Sequence, residues 1–329
     1  ITIGTLNFAV NETSKSFDVP IINDLYIEGS ETINITLSNP VNATLGTPNP
    51  ALVTITDNDS VTPTTNPLDN GDAQFFVRQH YLDFLSRVPD PGGFNFWVGQ
   101  ITQCGTNQTC LKNKRLDVSN AFFYELEYQQ TAAFVFRLYR AAFGNNQPFP
   151  NPDNSNATEA HKIPSYAAFS LDRARLIGSA NLAQDQLALA NLFVARPEFL
   201  TKYPANLTLD QFVDAVLLAI KTDSGADLTA QRAALIALGS RGAVMYRLAD
   251  DNLQSNPVNN RAFIDAEYNR TFVASQYFGY LRRDADIGGF LFWLGQVSGA
   301  PLRDVPRQHA MVCSFFTSAQ VTDYATAKT

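Results

Sequence analysis

A repeated segment limits what this chain can fold into. Residues 76–101, FVRQHYLDFLSRVPDPGGFNFWVGQI, align without gaps with residues 272–297, FVASQYFGYLRRDADIGGFLFWLGQV, and 13 of the 26 positions are identical. In the first copy the apolar residues follow the spacing of one helix face. A weaker copy begins at Phe134 with FVFRLYRAAFG. Internal repeats at helical spacing predict an all-α region of diverged repeats over residues 75–329.

Each strong copy contains a corner between two predicted helices. Asp90 followed by Pro91 has the order of an N-cap and a first helical residue. An arginine stands where the preceding helix ends, where it meets the negative end of the helix dipole and can reach the capping aspartate. Paired glycines let one backbone approach another, and the aromatic residues after them are expected in the core. We therefore predict structural roles for Arg87, Asp90, Gly92, Gly93 and Trp97, and for Arg283, Asp286, Gly288, Gly289 and Trp293.

The alternative for this corner is a calcium loop. Asp284, Asp286 and Gly288 resemble the opening of an Asp-x-Asp-x-x-Gly site. The first copy has Val88 in place of Asp284, and neither copy has the later bidentate glutamate. The repeated corner is therefore interpreted as a structural element of the fold. Its duplication argues against a catalytic motif.

Residues 1–59 have a different pattern. The segments TLNFAV, KSFDVPII, TINITLS and ALVTITD are rich in β-branched and aromatic residues and are separated by Asn, Gly, Pro and Asp, which predicts short strands. Residues 60–74, SVTPTTNPLDNGDAQ, lack periodicity and contain two prolines, so they are expected to form an extended linker.

Residues 5–59, ending in ALVTITDND, resemble the later portion of a Calx-beta domain, an immunoglobulin-like calcium-binding module. The resemblance implies a multidomain all-β plus all-α protein, in which a partial immunoglobulin-like β-sandwich precedes the helical repeat domain. It also implies a Ca²⁺ site with four acidic ligands, Asp24, Glu28, Asp57 and Asp59. The other interpretation is that these acidic residues mark turns.

The helical part, from residue 73 to about 325, resembles a bacterial family catalogued as domain of unknown function 4214. The resemblance is carried by FVxxxYxxxLxR, PDxxGxxFW and the stretch from Cys104 to Cys110, which look most like acidobacterial members. That family occurs in large secreted and surface proteins and has no established activity. The resemblance therefore implies the kind of protein in which this region occurs, and it implies no catalytic activity or ligand.

Composition and cysteine spacing set further limits. The formal charge is −7 and the basic residues are scattered, so the electrostatic footprint of a nucleic-acid-binding protein is missing. No segment approaches the roughly 18 consecutive apolar residues of a membrane span. Cys104 and Cys110 enclose a short polar loop without a metal-binding pattern, which favours a disulfide over free thiols and an oxidising, extracellular or cell-surface location.

A search for catalytic residues finds few candidates. The three histidines, His80, His161 and His309, are far apart and lie in no metal motif, and no nucleophile elbow or phosphate-binding loop is present. Glu125 and Glu127 are two apart on a predicted helix, so they are expected to point to different faces. The sequence therefore predicts a protein that is not an enzyme.

Two functions remain. The first is an extracellular structural protein, a cell-surface or filament subunit that self-associates through the edge of its incomplete β-domain. The missing strands were either cut from a precursor or are supplied by another molecule. The second is a secreted adhesion module that binds a glycan or a surface protein without catalysis; exposed aromatic rings beside Asn or Asp in a groove would favour it.

The filament hypothesis predicts what electron microscopy of the purified protein shows. We expect regular filaments in calcium, because strand complementation repeated head to tail does not close. Their loss after chelation would place calcium at the joint. Dispersed single particles in both conditions would contradict this hypothesis.

Overall fold

The computed structural model describes residues 6–17, 19, 30–38, 40–58, 73–148, 162–251, 255–299 and 302–317. Of these residues 61% are helical and 4% are in strands. The two strands, β1 (Glu31–Ile35) and β2 (Ala51–Ile55), pair antiparallel with Ile33 opposite Val53. The Asn49 side chain accepts from the Leu37 N–H at 2.8 Å and donates to the Leu37 carbonyl at 2.9 Å, which fastens the connection between the strands.

The predicted fold class, a partial immunoglobulin-like sandwich followed by helices, is wrong. Within the described part of residues 1–59 the only sheet has two strands, and Leu6–Val10, in the segment expected as the first strand, has no strand structure. Leu52 is 64% exposed and Val53 is 40% exposed, although they point to opposite faces of the sheet. Among the described residues neither face is covered by a second sheet, so the β-rich pattern there reflects local propensity without a sandwich core.

Fourteen α-helices lie within the described residues. They are α1 (Ala73–His80), α2 (Pro91–Thr102), α3 (Gln108–Tyr124), α4 (Leu126–Gln130), α5 (Ala132–Phe143), α6 (Tyr166–Arg173), α7 (Leu182–Val194), α8 (Pro197–Lys202), α9 (Leu209–Ser224), α10 (Arg232–Ile236), α11 (Arg241–Ala249), α12 (Arg261–Gln276), α13 (Ile287–Val297) and α14 (Val305–Thr317). Helix α1 includes the last two residues of the expected linker, because Ala73 is buried in the core. None of the described helices is long and apolar enough to cross a membrane.

The two strong repeats form the same succession of elements. Helix α1 continues into a π-helical turn, Tyr81–Leu85, that ends at Ser86 with φ 53°. Helix α12 continues into the equivalent turn, Tyr277–Leu281, that ends at Arg282 with φ 48°. A residue in the left-handed region reverses the chain after each turn and directs it into the corner that precedes α2 or α13.

Equivalent elements of the two repeats contact each other. The two π-helical turns pack together, as do α3 and α14. Phe84 and Tyr280 occupy the same position in the two copies, and their rings meet edge to face with centroids 5.1 Å apart. The His80 Nε2 atom lies 3.0 Å from the Tyr280 hydroxyl, which also contacts the Ser119 hydroxyl. The repeats therefore share one core rather than forming separate units.

Helix α5, which contains the weaker copy, lies at the centre. Every one of its residues is buried, and it packs against α4, α6, α9, α11 and α12. Its sequence is apolar on all sides except for two arginines, which must be neutralised or hydrogen-bonded in the core. Arg137 donates to the Ala249 and Gln129 carbonyls, each at 2.9 Å. Arg140 binds Glu267 of α12 with both oxygens of the carboxylate, at 2.8 and 3.0 Å.

The Arg140–Glu267 pair has no exposed side-chain surface, and this predicts a large effect of substitution. Glu267→Gln should lower the free energy of unfolding in urea by about 3–5 kcal/mol, because it leaves the arginine charge buried without a counter-charge. Asp265→Asn is the control, since it breaks an exposed pair with Arg261 on the same helix and should cost less than about 1 kcal/mol. Equal costs for the two variants would contradict the central role of the buried pair.

Candidate functional site

Each corner is held by an aspartate that caps the following helix. Asp90 Oδ1 accepts from the Gly93 N–H at 2.8 Å, and Asp286 Oδ1 accepts from the Gly289 N–H at 2.6 Å. The Gly93 hydrogen bond holds the pKa of Asp90 below its ordinary value, so the capping carboxylate is ionised at neutral pH. Pro91 is the first residue of α2 and has no N–H to leave unpaired.

The second glycine of each pair makes room for a tyrosine. A Cβ atom on Gly93 would overlap the Tyr81 hydroxyl, and one on Gly289 would overlap the Tyr277 hydroxyl. At Gly92 it would meet nothing closer than the Asp90 carboxylate at 3.4 Å. The predicted reason for the glycines, close approach of two backbones, is therefore replaced by close approach of a tyrosine side chain to the backbone. Burial, with Asp286 nearby, raises the pKa of Tyr277 to about 12, so its hydroxyl stays protonated.

The two arginines differ in their partners. Arg87 reaches Asp90 only at 3.6 Å, and it binds Glu127 more closely, with Nε and Nη2 each 2.7 Å from a carboxylate oxygen. This bidentate hydrogen bond raises the pKa of Arg87. Arg283 donates to the Asp284 carbonyl at 2.8 Å. Both guanidinium groups lie over a tyrosine ring, Arg87 over Tyr81 at 5.0 Å and Arg283 over Tyr277 at 5.6 Å.

The aromatic residues of the corner are only partly in the core. Trp97 packs against the buried Phe122, with ring centroids 5.9 Å apart. Phe96 is 56% exposed, and its counterpart Phe292 is 57% exposed. The expectation that these repeated phenylalanines are core residues is wrong, because each lies on the solvent side of its helix and packs edge-on against the neighbouring tryptophan.

A cavity of about 400 Å³ opens at the first corner. The π-helical turn, the start of α2, and the junction of α3 with α4 form its walls. Four aromatic and four charged side chains line it together with two glycines and a leucine: Tyr81, Phe96, Trp97, Phe122, Arg87, Asp90, Glu125, Glu127, Gly92, Gly93 and Leu85. We call this cavity the corner pocket.

Glu125 and Glu127 both line the corner pocket, contrary to the expectation that they point to different helix faces. The prediction assumed one continuous helix. Instead α3 ends at Tyr124 and α4 begins at Leu126, and Glu125 between them has extended backbone torsions, φ −54° and ψ 138°. The break turns the two carboxylates toward the same space. Sequence reasoning missed them because two good helix formers give no signal for the break.

The charges of the corner pocket do not balance. Asp90, Glu125 and Glu127 face one guanidinium, that of Arg87. Glu127 is bound by Arg87, and Asp90 caps α2. In the described part of the chain no side-chain hydrogen bond or ion pair engages the Glu125 carboxylate. Glu125 is an exposed residue, but partial desolvation of its carboxylate, followed by the charge of Glu127, raises its pKa.

The predicted calcium ligands are largely outside this structure. Asp24, Glu28 and Asp59 do not lie among the described residues, and Asp57 is half-buried just after β2. Across the described ranges, no group of three or more His, Cys, Asp or Glu side chains could hold a metal ion. Asp284, weighed as a calcium ligand, accepts from the Tyr166 N–H at 2.5 Å and so attaches the second corner to α6. The Ca²⁺ site stays a prediction.

Cys104 and Cys110 form a disulfide. Cys104 follows the C-terminal end of α2, and Cys110 lies in the first turn of α3, where the Asn107 side chain accepts from its N–H at 3.1 Å. The bond therefore joins the two helices that carry Trp97 and Phe122, and it fixes the separation of two walls of the corner pocket.

The tyrosine contact predicts opposite effects for two glycines of α2. Gly93→Ala should destabilise the chain and disturb the corner pocket, because the Tyr81 hydroxyl must move. Gly99→Ala, where a Cβ meets nothing within 4 Å, should stabilise it by about 0.5–1 kcal/mol. Thermal unfolding measures both. Combining Gly93→Ala with Tyr81→Phe should recover part of the loss, and a loss that is unchanged in the double variant would contradict the contact.

Comparisons of this chain with protein-family models, with curated proteins and with solved structures found no match.

Proposed function

We propose that this chain is a non-catalytic binding module that takes a glycan in the corner pocket. The observation that carries the proposal is a cavity of about 400 Å³ in which aromatic rings and charged side chains face the same space. Small-molecule sites in proteins have volumes of roughly 300–1,000 Å³ and combine apolar walls with a few placed polar groups.

The rings suit the apolar faces of a sugar. A pyranose has a flat face of C–H groups that packs on an aromatic ring, while its hydroxyls point outward to polar partners. Phe96 is exposed and is held edge-on by Trp97, with centroids 4.8 Å apart. Because Trp97 is backed by Phe122, the two rings at the mouth are already oriented, and binding requires little additional ordering of side chains.

The charged side chains of the corner pocket can form hydrogen bonds with the hydroxyl groups at the edges of a sugar ring. Carboxylates accept hydrogen bonds from hydroxyls, and a guanidinium donates to them. Arg87 is fixed by its bidentate bond to Glu127 and by the Tyr81 ring, so its direction is set before a ligand arrives. A pre-ordered donor between acceptors gives orientation to a bound sugar.

Binding is favoured over hydrolysis by what the carboxylates already do. Glycoside hydrolysis uses two carboxyl groups on opposite sides of the scissile bond, one of which transfers a proton. In the corner pocket Asp90 caps a helix and Glu127 is engaged by Arg87. That leaves Glu125 alone for proton transfer, so the set lacks a second free carboxyl group.

An extracellular or cell-surface location accompanies this proposal. The disulfide between Cys104 and Cys110 supports it, because such bonds persist in oxidising compartments. Self-association through strand edges stays a second candidate, favoured by the exposure of Leu52 and Val53 in a sheet with two strands.

The two tryptophans allow a matched test. The chain has two, Trp97 and Trp293, and they occupy equivalent positions in the two corners. In a Trp293→Phe variant, titration with soluble oligosaccharides should give a saturable change in fluorescence, since Trp97 then reports alone. Calorimetry should show that Trp97→Ala weakens binding by at least roughly tenfold, given the area that a stacked aromatic ring loses from water.

Trp293→Ala is the control, and it should retain the affinity of the unsubstituted chain. The oligosaccharides used in these titrations are hexamers of glucose, of N-acetylglucosamine and of glucosamine. If no hexamer binds, or if Trp97→Ala and Trp293→Ala have equal effects, the corner pocket is not a glycan site.

A further inference from the structure

We propose that the glycan bound in the corner pocket carries a free, protonated amine, as a glucosamine unit does, and that the Glu125 carboxylate receives it. This inference rests on the proposed glycan-binding function and adds the chemical class of the sugar. Three features of the corner pocket favour a ligand with an ammonium group. They are its net charge, its one unpaired carboxylate and its exposed rings.

The first feature is net charge. Three carboxylates and one guanidinium line the cavity, so its formal charge is 1 − 3 = −2. An acidic sugar would add to this excess of negative charge, and a neutral sugar would leave it unchanged. A ligand with one positive charge reduces it. Like charges that face each other in a partly desolvated site repel, and a cation placed among them removes that cost.

The second feature is the position of Glu125. Asp90 and Glu127 have partners within the protein, whereas the Glu125 carboxylate has none among the described residues. Partial desolvation and the neighbouring Glu127 raise its pKa above the ordinary value, so its ionised form is less stable in the empty pocket than it would be in water. An ammonium at hydrogen-bonding distance would favour the ionised form and form a charge-assisted bond.

The third feature is the aromatic wall. A cation over an aromatic face is attracted to the ring, most strongly for tryptophan. Arg87 already covers the Tyr81 ring, and Phe122 is fully buried. Trp97 and Phe96 are therefore the rings left for a ligand, and they line the same cavity as Glu125. An amino sugar stacked there would place its ammonium between the rings and the carboxylate.

Comparison of the two repeats shows which residues of the corner are shared and whether Glu125 is one of them. The second corner has the same tyrosine, arginine, aspartate, glycines and tryptophan. When Phe122 is aligned with Phe315, Glu125 corresponds to Ser318 and Glu127 to Gln320; both of these lie beyond the described residues. The second corner still forms its helix cap and its tyrosine contact. The fold of the corner therefore does not require an acidic residue at the position of Glu125.

The test compares hexamers of glucosamine and of N-acetylglucosamine, which differ in the charge of the nitrogen. Isothermal titration calorimetry is run with the full chain in low salt, at a pH where the amine is protonated. We expect the glucosamine hexamer to bind roughly tenfold more tightly, the effect of one charge-assisted hydrogen bond. Glu125→Gln should remove this preference and change the affinity for the N-acetylated hexamer by less than about twofold.

Asp210→Asn is the matched control, because it also removes one negative charge, from an exposed position on α9 outside the corner pocket. It should keep the preference. Near-ultraviolet circular dichroism checks that Glu125→Gln retains the packing of the aromatic core.

The outcomes distinguish this inference from the proposed function. If both hexamers bind equally, the glycan site stands and the amine inference fails. If neither binds, the proposed function itself fails. If the preference for glucosamine persists in Glu125→Gln, or is lost equally in Asp210→Asn, the carboxylate of Glu125 is not the receptor for the amine and the inference is overturned.

Discussion

The buried ion pair between Arg140 and Glu267 is the interaction on which the helical region depends. It joins α5, which is surrounded by other helices, to α12, which begins the second strong repeat. Arg140 also donates to the Gly144 carbonyl at the end of α5, so the same side chain fixes the next turn of the chain. Removal of either partner would leave an uncompensated charge at this depth, which is strongly destabilising.

From that centre the two strong repeats extend as a pair with a common core. The two π-helical turns pack against each other, and the corners that follow them are built from the same contacts. The duplication allows the structural role of the corner to be distinguished from the features that occur at the first corner alone. Its aspartate, glycine and tyrosine are needed for folding in both copies, and a pocket lined by carboxylates is formed where the first copy differs from the second.

Much of the helical part was accessible from the sequence, because its signals are local. Asp90 and Asp286 cap their helices as the order of residues predicts, and the cysteines joined across a short loop are close in the chain. The β part was not accessible in the same way. Alternating residues in TLNFAV and ALVTITD are equally compatible with a sandwich, a hairpin or an extended segment, and the choice depends on whether a second layer covers them.

The sequence by itself determined the repeats, the helix caps and the short disulfide loop, since each depends on residues within a few positions of one another. Only the tertiary structure decided that Glu125 breaks a helix, that Glu127 binds Arg87 from 40 positions away, and that Phe96 remains exposed. The reason is physical. A helix break and a pocket form where separate elements meet, and their energies come from packing and charge between residues whose proximity is set by the fold.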